Sequence, residues 1–82
     1  MADRAHPELT RTERRVLPLM ALRLKIAAGR LGLHEKTVQF HQRNIARKFG
    51  ADDRFGAVVL ATRAGWDIEI QPLRGSSPES EN

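Results

Sequence analysis

Residues 34–50 read His34-Glu35-Lys36-Thr37-Val38-Gln39-Phe40-His41-Gln42-Arg43-Asn44-Ile45-Ala46-Arg47-Lys48-Phe49-Gly50. Placed at about 100° per residue, they separate into two faces. Val38, His41, Ile45 and Phe49 share the stripe a helix would bury. Lys36, Gln39, Phe40, Arg43 and Arg47 share the opposite one. That second face is cationic at both ends, with an amide and an aromatic ring between. By charge alone it fits a solvated surface. Its residue types also fit a B-DNA major groove, where Arg and Gln hydrogen-bond base edges and an apolar group meets a thymine methyl. Gly50 then stops the helix as the residue that adopts left-handed geometry.

Outward from this segment, the chain predicts three more short helices, an all-α fold. Upstream, Gly32-Leu33 makes a turn and Leu33 plugs the junction between helices. Before it, Leu22 to Leu31 predicts a helix, with Leu22, Ile26, Ala27 and Leu31 in register and Gly29 weakening it by about 1 kcal/mol relative to Ala. Further back, Thr10-Arg11-Thr12-Glu13 is a capping box, which starts the first helix at Arg11 with Val16, Leu17 and Met20 apolar. Pro18 costs roughly 3 kcal/mol inside a straight helix, so a kink or an early end is expected there. Downstream, Asp52 or Asp53 caps a fourth helix running to about Ala64 and ending at Gly65. Ala57, Val58 and Ala61 are its inward stripe. Gly56, Val59, Leu60 and Arg63 point elsewhere, either as a partner surface or as core on a second side. Trp66 packs as a lid. Asp67 to Ile70 alternates as a short extended piece with nothing visible to pair with it. Residues 1–8 read as a flexible lead-in, 9–67 as the folded domain and 68–82 as a disordered tail.

Composition narrows the function. The 82 residues carry a net charge of +4. Between Leu9 and Trp66 there are twelve Lys and Arg against four Asp and Glu, and eleven of the fourteen cations are Arg. A basic body with more acidic ends points to a polyanion, and Arg suits bidentate contacts to phosphate and guanine. Without cysteine, disulfides and thiolate metal sites are excluded. No apolar run approaches a membrane span and no export signal opens the chain, so a cytoplasmic, nucleoid-associated protein with no membrane partner is expected. His34 and His41 lie about 10 Å apart along a helix, too far to share a metal. The second His also comes too late for a zinc-protease motif. Ser76, Ser77 and Ser80 all fall in the tail, and there is no phosphate loop. Neither an enzyme nor a cofactor is expected.

The ordered set Leu9-Thr10, Glu13, Val16-Leu17, Ile26-Ala27, Leu31, Leu33, Thr37-Val38, His41, Asn44-Ile45, Lys48, Gly50, Arg54, Ala57-Val58 and Gly65 resembles the LuxR-type helix-turn-helix domain, the DNA-binding unit of bacterial quorum-sensing and response regulators. The resemblance spans Leu9 to Trp66. It implies a tetrahelical domain whose third helix enters the major groove of double-stranded DNA and whose fourth mediates homodimerisation on a two-fold-related site. Carried over by position, Gln39, Phe40 and Arg43 meet bases. Lys36, Thr37, Arg47 and Lys48 flank phosphates, and Val59, Leu60 and Arg63 fall on the dimerisation helix. For such a transcription regulator, RNA polymerase is a further candidate partner. Three departures stand out. The link between the first two helices is a few residues shorter than the family's, with Pro18 as a possible accommodation. His34 replaces the usual Ser or Thr cap, at a cost of about 1 kcal/mol. Phe40 puts a ring on the reading face, to contact thymine methyls or to pack on a neighbour. These departures motivate the alternative of a protein-interaction module that keeps the fold without operator recognition. The chain is either a stand-alone regulator or the C-terminal piece of a larger one.

Overall fold

A computed structural model describes residues 6–70; the segments 1–5 and 71–82, most of the expected lead-in and tail, lie outside it. The described residues form four α-helices and no strand ladder: α1 Arg11–Val16, α2 Leu24–Leu31, α3 Glu35–Phe49 and α4 Arg54–Arg63, with a 3₁₀ turn at Leu17–Leu19 after α1. α3 packs against each of the other three helices. None of these helices is long and apolar enough to cross a membrane.

α1 starts where the capping box requires. The Thr10 hydroxyl accepts from the Glu13 amide at 3.1 Å, and the Glu13 carboxylate accepts from the Thr10 amide at 2.9 Å. Six residues later the helix gives way to the 3₁₀ turn holding Pro18, the early end the proline demands. The turn also resolves the short link. Met20 and Leu22 amides donate to the Leu17 and Leu19 carbonyls, so the reversal is made of tight i→i+3 bonds. Val16, Leu17, Met20 and Leu22 are all buried, so the end of the short helix and the turn after it are packed into the core.

Because Leu22 is spent in this turn, α2 begins at Leu24, not Leu22. Its buried residues are Ala27, Ala28 and Leu31, and Ile26 is 38% exposed. That corrects the expected register: Ile26 lies about 200° around the helix from Leu24, on the far side. Gly32 and Gly50, at φ 67° and 76°, close α2 and α3 in left-handed geometry. Asp53 caps α4 by accepting from the Gly56 amide at 2.9 Å. Gly56 does not turn away as expected, for a Cβ there would stand 3.2 Å from the Ala51 Cβ.

The core holds Phe49, Leu17, Met20, Ile45, Val16 and Val38 as its largest enclosed side chains. Trp66 covers one edge, its ring 6.1 Å from that of Phe49 and nearly perpendicular to it. Contacts continue past both ends of the 9–67 span. Pro7 is buried and the Glu8 carbonyl accepts from Lys48 Nζ at 3.1 Å. At the other end Ile68 packs against the core. The Glu69 amide donates to the Pro18 carbonyl at 2.8 Å. The Glu69 carboxylate receives two bonds from the Arg30 guanidinium, Nη1 to Oε1 at 2.7 Å and Nη2 to Oε2. Those bonds hold the Glu69 carboxyl below its ordinary value. The extended piece therefore does have a partner.

Candidate nucleic-acid interface

Leu33, half-buried, and the Gly32 turn set α2 against α3 in a helix-turn-helix. His34 occupies the cap position of α3 without a side-chain cap bond, so Glu35 is left as the first-turn acid beside the positive end of the helix. α3 is held from below by Val38, Ile45 and Phe49, each at most 1% exposed. Gln42 and Ala46 are buried beside them, two positions the two-face division left out. They extend the hidden stripe toward α4. A polar Gln and a small Ala gave the hydrophobic pattern nothing to register.

With that stripe fixed, Lys36, Thr37, Gln39, Phe40, Arg43 and Arg47 are all exposed. Their side chains form one outward surface from the start of α3 to its last turn. Phe40 is 54% exposed, and its ring meets His41 edge-on at 5.4 Å. His41 is half-buried beside it.

Lys48 stands apart from this set. Its Nζ is 2.6 Å from Glu13 Oε1, joining α3 to the capping box of α1. Burial pushes the Glu13 carboxyl up, but bonds from Lys48 and the Thr10 amide, with the Lys48 charge, bring it below its ordinary value. The sequence marked both residues and had no way to join positions this far apart.

On the side toward α4, Gln39, Arg43 and Arg47 border a groove with buried Gln42 and Ala46. Asp52, Asp53 and Arg54 line it from the other side. The Gln42 Nε2 is buried and has no hydrogen-bond partner among the described residues. On α4, Phe55 and Val59 are 60% and 47% exposed, and Arg63 is exposed. Leu60 is instead partly buried against the core. Phe55 lies outside the sequence-predicted set, although it and Val59 are four apart and so share a face.

Among the described residues, no group of three or more His, Asp or Glu side chains is placed to hold a metal. A family model described as bacterial regulatory proteins, luxR family, matches residues 7–61. No curated protein and no solved structure matches the chain.

Proposed function

The chain belongs to the LuxR family of bacterial regulatory proteins, a family of helix-turn-helix DNA-binding transcription regulators and not of enzymes, and from that premise we propose that it binds double-stranded DNA sequence-specifically through α3. One observation carries the reading. Lys36, Gln39, Phe40, Arg43 and Arg47 face outward from a helix whose other side is locked into the core. Gln39 and Arg43 donate to base edges, Phe40 offers a ring to thymine methyls, and Lys36, Thr37 and Arg47 meet flanking phosphates. Lys48 has part of its ammonium engaged by Glu13, so its share in phosphate binding is smaller and its main work is to fasten α1 to α3.

Two copies meeting through α4 would read half-sites about one helical turn apart. Exposed Phe55, Val59 and Arg63 support that contact, with Leu60 contributing only at its edge. Arg43→Ala is expected to cost about 1–3 kcal/mol on the preferred duplex and to relax base choice. Binding is measured on a site selected from a random duplex pool and on mixed duplex, across a salt series. A steep loss with salt is expected. An Arg43→Ala protein that binds both duplexes like the parent would remove α3 from the groove.

The exposed Phe40 also supports a second reading, a protein-interaction module. Absence of any duplex binding at low salt would favour it.

A further inference from the structure

The groove between α3 and the start of α4 holds a donor with no acceptor. Gln42 is 5% exposed, and its Nε2 lacks a hydrogen-bond partner among the described residues. Leaving a buried amide unpaired is destabilising, and an apolar side chain of similar shape would avoid the penalty. The surroundings say what kind of acceptor would fit. Arg43 and Arg47 stand on one side of the groove and Arg54 on the other. The guanidinium of Arg54 lies over the Phe55 ring, 4.7 Å from its centroid. Arg54 opens the first turn of α4, whose positive dipole end is shared with the capping Asp53. Three guanidiniums, a helix N-terminus and an orphan amide are all donors. They call for an acceptor-only, negatively charged ligand.

We propose that the α3–α4 groove seats a backbone phosphate of the bound DNA, with Gln42 and Arg54 as its ligands. The site rests on the DNA-binding reading, because Gln39, Arg43 and Arg47 form both the groove's border and the outward face of α3. It extends that reading to two residues outside the outward face, one on α3 and one on α4. The strand would then be gripped from two helices, with the α3–α4 turn fixing how far α3 enters the groove. Two acids face the same space. The Asp53 Oδ1 is occupied by the Gly56 amide, and Asp52 remains as an opposing charge. Asp52 thus weakens the seat, and Asp52→Asn is expected to tighten duplex binding about twofold.

The test uses the full chain and a selected duplex in which single phosphates are replaced, one at a time, by neutral methylphosphonates. In the parent protein, one position per half-site is expected to lose affinity about fivefold through the groove. In Arg54→Gln that position becomes insensitive, and the slope of log affinity against log salt falls by about 0.9 per half-site. In Gln42→Leu the sensitivity shrinks while the thermal midpoint stays or rises; Gln42→Met repeats the measurement should Leu fold poorly. If every phosphate keeps its parent effect in either variant, the seat is overturned and DNA binding by α3 stands. If the parent protein binds no duplex, both readings fall together.

Discussion

α1 and α4 are held in opposite ways. α1 has six residues, yet it is fixed at one end by a reciprocal cap, at the other by a 3₁₀ turn, and across its side by Lys48. α4 has ten residues but buries only Ala57 and Ala61 completely, and it leaves Phe55 and Val59 in solvent. Length therefore does not measure hold. The short helix is tied at both ends and along one side, and the longer one leaves apolar surface uncovered.

Five experiments bear on that contrast, the largest effect first. Leu17→Ala, at the end of α1 and 1% exposed, is expected to cost about 2–5 kcal/mol in urea unfolding. A cost below 1 kcal/mol would mean that the short helix is not fully employed. Lys48→Met removes the ammonium from a buried carboxylate and is expected to cost about 1–3 kcal/mol near neutral pH. The pH dependence follows from the lowered Glu13 carboxyl. Its contribution is fully present above the ordinary glutamate titration and is lost as pH falls through the folded value. The parent protein should thus lose more stability on acidification than Glu13→Gln, and parallel curves would assign the acid loss elsewhere. Thr10→Ala, which breaks the capping box, is expected to cost about 1 kcal/mol by the same measurement. Val59→Ser should change the stability of the single chain by less than about 0.5 kcal/mol. Sedimentation should nevertheless show weaker self-association, and an unchanged distribution would free α4 of that role.

What the sequence made legible was local. Thr10 with Glu13, Pro18, Gly50 and the pair Asp52-Asp53 each act within a few residues and mark their boundaries, the structure choosing Asp53 of the pair. The outward face of α3 was legible for a related reason, since fifteen helical residues hold a stable period. Errors arose where a long-range contact or a turn chose between local options. The local pattern starts α2 at Leu22 and turns Ile26 inward, whereas the turn claims Leu22 and moves the start to Leu24. Gln42 gives no sign of its burial, because polarity argues against it. Arg30 and Glu69 carried no mutual signal across 39 positions.

The strap at the end of the described chain has a practical corollary for anyone transplanting this unit onto another protein. The family match ends at residue 61, but Trp66, Ile68 and Glu69 follow it and close over Phe49, the core and the Pro18 carbonyl. A graft trimmed to the matched span would arrive with an open seam along its hydrophobic edge. One carried through Ile70 would bring its own clasp.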